Sequence, residues 1–165
     1  MTKVGQDAPS FVLPSATGEP LALSSLKGRK VLLVFFPNAF TRICGGEICS
    51  LRDDIVGELD ANTTLLAIST DPWQVLRKWT EDERFPFRML SDFWPHGAVS
   101  QAFGAFDEER GTAVRATFIL DEEHVVRWSI VNGHKDPRNP DDYLAALAAL
   151  GSGHVAASGR PPAGG

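Results

Sequence analysis

Six apolar residues in a row, Val31-Leu32-Leu33-Val34-Phe35-Phe36, are closed by Lys27-Gly28-Arg29-Lys30 on one side and by Pro37 on the other. A short run of β-branched and aromatic residues between turn signals reads as a strand buried on both faces, as in a parallel sheet. Such a strand needs a layer above it and a layer below, which points to a layered α/β fold. Pro37 ends the run because proline cannot donate to a sheet ladder. A second run of the same kind, Thr64-Leu65-Leu66-Ala67-Ile68-Ser69, comes later in the chain.

Between the two runs, residues 41–60 place Ile43, Ile48, Leu51, Ile55, Val56 and Leu59 as on the apolar face of one amphipathic helix. Asp71-Pro72 predicts the start of another helix, with Asp71 as N-cap and Pro72 in the first turn. Val75, Leu76 and Trp79 mark its buried face. A short strand at residues 88–90 and a short helix at 97–103 follow. Residues 116–120 and 125–130 flank Asp121-Glu122-Glu123-His124 as an antiparallel hairpin would. A second hairpin is expected near the N-terminus, where residues 11–13 and 21–23 flank Gly18 and Pro20. A final helix spans residues 141–150, after Pro140. The order predicts one α/β domain over residues 1–150, a thioredoxin-like mixed sheet flanked by helices with an N-terminal hairpin. Residues 151–165 are Gly, Ala, Ser, Pro and little else, and read as a flexible tail.

Composition removes several functions. The net charge is −5 and no Lys/Arg-rich run occurs, so nucleic acid is not an expected partner. No apolar run approaches the ~20 residues needed to span a bilayer. Residues 1–7 lack the apolar core of a secretory leader, and a cytoplasmic location is expected. Cysteines are normally reduced there, and two, Cys44 and Cys49, are too few for a disulfide scaffold. A close pair is then reactive or metal-binding. His96, His124, His134 and His154 show no ligand spacing with the cysteines, so no metal is expected. No phosphate- or dinucleotide-binding glycine motif is present, and no cofactor is expected.

That leaves a reactive thiol. In Pro37-Asn38-Ala39-Phe40-Thr41-Arg42-Ile43-Cys44 a strand passes through a loop into a helix, with Cys44 in the first turn. Unpaired N–H groups and the positive dipole end lower a thiol's pKa there. The Thr41 hydroxyl can face the same space and accept from a substrate O–H. Pro37 supplies a wall without an N–H donor.

Pro37, Thr41 and Cys44 stand at the spacing of the peroxiredoxin motif, and the chain resembles that family over residues 3–150. Leu51-Arg52-Asp53, the stretch 90–100 and Arg115-Ala116-Thr117-Phe118 extend the likeness. Within the family the chain is similar to the alkyl hydroperoxide reductase E group. The resemblance implies a thiol-dependent peroxidase that reduces hydrogen peroxide and organic hydroperoxides through a Cys44 sulfenic acid. It assigns thiolate stabilisation and oxygen positioning to Arg115. It makes Glu47 the group that orients Arg115, and Arg138 a candidate second arginine. It also implies a homodimer, and reduction by thioredoxin, a mycoredoxin or a low-molecular-weight thiol. A general disulfide reductase of the thioredoxin kind would need Cys-x-x-Cys and a proline beside it, and neither is present.

Cys49 departs from the E group and occupies the place of the resolving cysteine in bacterioferritin-comigratory peroxiredoxins. Five residues along a helix is ~7.5 Å of rise and about 140° of rotation. A disulfide wants Cα atoms within ~7 Å, so bridging requires unwinding, which Gly45-Gly46 eases. Cys49 is either a resolving thiol or a buried inert one. Two other activities share Cys44, a thiol–disulfide oxidoreductase and a peroxide-sensing redox protein. Rapid single-turnover consumption of peroxide separates the peroxidase from the first, and sustained turnover with a reductant separates it from the second.

Overall fold

The computed structural model describes residues 2–131 and 140–152. The first apolar run is β3 (Lys30–Phe35), buried along its whole length. It is the middle strand of five, in the order β5 (Arg88–Ser91), β4 (Thr63–Ser69), β3, β8 (Ala116–Leu120), β9 (Val126–Val131). β4 and β5 continue the sheet in parallel from β3, whereas β8 pairs antiparallel with β3 and β9 antiparallel with β8. Phe35 stands opposite Ile68 on one side and Ala116 on the other. The C-terminal end of β3 therefore lies beside the N-terminal end of β8.

Side chains alternate across a pleated strand, so β3 feeds two cores. Leu32, Val34 and Phe36 enter one, with Ile48 of α1 (Arg42–Ser50), Leu76 and Trp79 of α2 (Trp73–Glu83) and Tyr143 of α4 (Pro140–Ser152). Val31, Leu33 and Phe35 enter the other, which is closed by Leu13 of β1 (Val12–Pro14), Leu21 of β2 (Pro20–Ala22) and Phe103. Phe103 follows α3 (Ala98–Ala102) and packs on the rings of Phe35 and Phe118. Each fully buried aromatic or aliphatic side chain contributes roughly 1.5–3 kcal/mol of transfer free energy. The mixed sheet, the N-terminal hairpin and the flanking helices are those expected.

Several local features differ. The single helix expected over residues 41–60 is three pieces. α1 gives way to a π turn, Leu51–Ile55, closed by the Val56 N–H on the Leu51 carbonyl, and then to a 3₁₀ turn, Val56–Glu58. Ile48, Leu51 and Ile55 stay buried through the change. Apolar spacing of three and four fixes which face turns inward, but not how many residues close each turn. Asp71 does not cap α2, where Pro72 holds the N-cap position. Its carboxylate is committed to the loop before α1 instead, accepting the Ala39 N–H at 2.9 Å. A two-residue hairpin, β6 (Phe106–Asp107) with β7 (Thr112–Ala113), was not expected. Strands of two residues are too short to show a period. α4 runs through Ser152, so the expected boundary at residue 150 falls inside it. The remainder of the expected tail lies outside the described residues. No helix among the described residues is long and apolar enough to cross a membrane.

Candidate active site

β3 delivers the chain to the site. Phe36 and Pro37 are buried beyond its end, and Asn38 to Phe40 form the loop into α1. Phe40 has a left-handed backbone, φ 62°, which costs a bulky residue ~1–2 kcal/mol. Its half-exposed ring lies 5.8 Å from that of Trp79, a contact that offsets part of this cost. Trp79 also meets the Phe36 and Phe85 rings, at 5.7 and 5.1 Å, so an aromatic floor underlies the loop.

Thr41 takes the N-cap position of α1, and its carbonyl accepts the Gly45 N–H at 2.7 Å, the first bond of the helix. Cys44 is the third residue of α1 and lies in that first turn. N–H groups there have no intrahelical acceptor and form the positive end of the dipole. The Thr41 hydroxyl does not cap the helix. It donates back to the Asn38 carbonyl at 3.0 Å. With its proton committed, the oxygen keeps its lone pairs for a donor arriving from solvent, to which Thr41 is exposed.

Arg115 immediately precedes β8, and the antiparallel register sets it beside the end of β3. Its Nη1 donates to Glu47 Oε1 at 2.6 Å, with the two side chains only 4% and 7% exposed. Glu47 sits one helical turn after Cys44 on α1. The ion pair thus ties the helix bearing the cysteine to the strand bearing the arginine. Residues 41, 44, 47 and 115 are drawn to one corner of the sheet by β3, α1 and β8.

Residues 4–129 match the AhpC/TSA family. The chain belongs to that family. It is 42% identical over 151 residues to alkyl hydroperoxide reductase E of Mycobacterium tuberculosis, covering 91% of this chain and 99% of the relative. It is 31% identical over 160 residues to thioredoxin peroxidase of Fasciola hepatica, covering 91% and 81%. Among solved structures, peroxidoxin BcpB from M. tuberculosis superposes with a TM-score of 0.81 at 32% identity, covering 91% and 99%. AhpC of Enterococcus faecalis superposes at 0.88 with 21% identity, covering 98% of this chain and 100% of that one, a likeness of fold. The oxidoreductase class and the peroxiredoxin fold read from the sequence agree with these relatives.

Within this AhpC/TSA chain, Cys49 lies near the far end of α1 and carries a free thiol, half-buried. That thiol donates to Glu83 Oε1, at the end of α2, at 3.6 Å. Arg52 holds Glu83 in place, donating to its carbonyl at 2.6 Å and to Oε1 at 3.2 Å. Arg52 also forks onto Asp53 at 2.7 and 3.1 Å. Burial pushes the Cys49 thiol pKa up, and the Glu83 charge pushes it further, against a smaller opposing pull from Arg52. Cys49 is therefore held in the unreactive thiol form. Glu83→Gln removes the charge and lowers that pKa. In a Cys44→Ser background, Cys49 alkylation by iodoacetamide at pH 7.5 is expected to rise about threefold, its pH profile moving to lower pH. An unchanged profile would mean that Glu83 does not govern this thiol.

Among the described residues no group of three His, Cys, Asp or Glu side chains could hold a metal ion. His96 places its ring nitrogens on the Phe93 and Gly111 carbonyls, and His124 on that of Leu26. Arg138, His134 and His154 lie outside the described residues. Asp71 and Glu83 were not identified as site residues from the sequence. Asp71 read as a helix cap, and Glu83 stands in a charged stretch, Glu81-Asp82-Glu83-Arg84, like any solvated helix end.

Proposed function

We propose that Cys44 is the peroxidatic residue of a thiol-dependent peroxidase acting on hydrogen peroxide and organic hydroperoxides. The supporting observation is the buried Arg115–Glu47 pair, which fixes a guanidinium at the corner of the sheet where α1 begins. The Cys44 thiolate attacks the terminal peroxide oxygen. An S–O bond forms, the O–O bond breaks, and the other oxygen leaves as water or alcohol after taking a proton. Charge spreads over sulfur and both oxygens in the transition state, so a fixed cation and oriented hydrogen bonds lower the barrier. Arg115 supplies the cation, and Glu47 orients it without acting as a base. Thr41 accepts from the peroxide O–H, and Pro37 walls the pocket with no competing donor.

Cys49 resolves the sulfenic acid. Cys44 and Cys49 share one continuous helix, so their disulfide forms only after the first turns of α1 unwind at Gly45-Gly46. The bond forms with loss of water, and an external thiol returns both sulfurs to the reduced state. Thioredoxin, a mycoredoxin or a low-molecular-weight thiol is the reductant, the working unit is a homodimer, and the location is cytoplasmic.

One equivalent of peroxide and a sulfenic-acid trap test this, read by mass spectrometry. Wild type is expected to form the Cys44–Cys49 disulfide and escape the trap, while Cys49→Ser is trapped as sulfenic acid. Equal trapping of both proteins would remove the resolving role. Absence of any Cys44 oxidation would remove the peroxidase.

A further inference from the structure

Asp71 stands in the turn between β4 and α2, far in sequence from the Pro37-to-Cys44 motif. Its Oδ2 accepts two hydrogen bonds, from the Ala39 N–H at 2.9 Å and from the Ser69 hydroxyl at 2.7 Å. Its own N–H donates to Ser69 Oγ at 3.3 Å, and its carbonyl accepts the Ser91 hydroxyl at 2.6 Å. Ser69 and Ser91 are partners in register at the ends of β4 and β5, with exposures of 0% and 1%. The aspartate is thus clamped by two central strands and reaches outward to one group, the Ala39 amide.

That amide is half of a peptide unit. The other half is the Asn38 carbonyl, which accepts the Thr41 hydroxyl at 3.0 Å. A single peptide plane therefore links the Asp71 carboxylate to the Thr41 oxygen. A hydrogen bond to an anion is stronger than a neutral one, and hydrogen bonds in a chain polarise one another. Drawing on the Ala39 N–H makes the Asn38 carbonyl a better acceptor and fixes its direction. The Thr41 proton is then held on the loop side, and the substrate meets a lone pair.

We propose that Asp71 is a positioning residue of the peroxidase site. Through the Asn38–Ala39 peptide it sets the Thr41 hydroxyl as an acceptor for the incoming hydroperoxide. This rests on the role given above to Thr41. It assigns Asp71 no contact with substrate and no proton transfer.

The test uses the full chain in a Cys49→Ser background, with two stopped-flow readouts. One is the rate of Cys44 oxidation by hydrogen peroxide. The other is Cys44 alkylation by iodoacetamide, which needs no peroxide acceptor. Asp71→Ala is expected to slow oxidation about tenfold while alkylation stays within about twofold. In a Thr41→Val background Asp71→Ala should add nothing further, because the path runs through Thr41. An oxidation rate at the level of the unsubstituted protein overturns the proposal. So does an equal loss in both readouts, or a full tenfold loss persisting beside Thr41→Val. Should Asp71→Ala fail to fold, Asp71→Asn decides alone. Its amide oxygen is a weaker acceptor, so a drop of about threefold that vanishes beside Thr41→Val supports the proposal, and no drop overturns it. Thr41→Val by itself reports on Thr41, and an unchanged rate there removes that role before any Asp71 variant is made.

Discussion

Cys44→Ser is expected to lower peroxide consumption by at least about a thousandfold, to the level of protein-free buffer. The substitution is close in shape and leaves the helix propensity of the first turn nearly unchanged, so the fold should survive. The chemistry does not. A thiol becomes an anion near neutral pH when helix N–H groups and a cation stabilise it, whereas an aliphatic hydroxyl does not ionise there. Cys49→Ser is the paired control and should keep the fast first turnover, losing only the step that removes the sulfenic acid. Stopped-flow mixing with stoichiometric peroxide, followed by free-thiol counting, separates the two variants. Persistent fast turnover in Cys44→Ser would move the chemistry to Cys49.

Glu47→Ala is expected to be the most destabilising single change in the site. It removes a carboxylate 2.6 Å from a guanidinium whose side chain is 4% exposed. Breaking a buried pair from one side costs ~3–5 kcal/mol, because the remaining charge was desolvated on the strength of its partner. For a chain of this size that is a fall of about 10 °C in the melting temperature. Glu47→Gln keeps an oxygen to accept from Arg115 but no charge, and should fall between Ala and wild type. Both variants should slow Cys44 oxidation, by about tenfold for Gln and more for Ala, since the guanidinium loses its fixed direction. Differential scanning calorimetry and stopped-flow oxidation measure the two effects. A Glu47→Ala protein that melts with wild type would show that the pair holds neither the fold nor the arginine.

The parts of this site that could be read beforehand share one property, which is that a local signal announces them. Val31 to Phe36 declares a buried strand by its continuity. Pro37, Thr41 and Cys44 are close enough in sequence for a fixed spacing to mean a fixed geometry. Arg115 and Glu47 came from likeness to a family, because they stand 68 positions apart and no periodicity couples them. What could not be read is what depends on closing distances across the fold. Asp71 looks like a helix cap because Asp before Pro usually is one, and only the packing of the 38–40 loop against the end of β4 turns it outward. Glu83 acquires meaning from a cysteine on another helix. The π turn after α1 is invisible because the apolar spacing fits either winding.

The position of β3 between a parallel and an antiparallel neighbour has a consequence for biosynthesis. The helix with Cys44 leaves the ribosome well before Arg115, and β8 must close against β3 across 80 intervening residues before the guanidinium arrives. Contacts of such long sequence separation form late, since loop closure is costly until the rest of the sheet rewards it. Assembly of the Arg115–Glu47 pair is thus a late event, and a chain whose sheet is unfinished carries α1 without the guanidinium that closes against it.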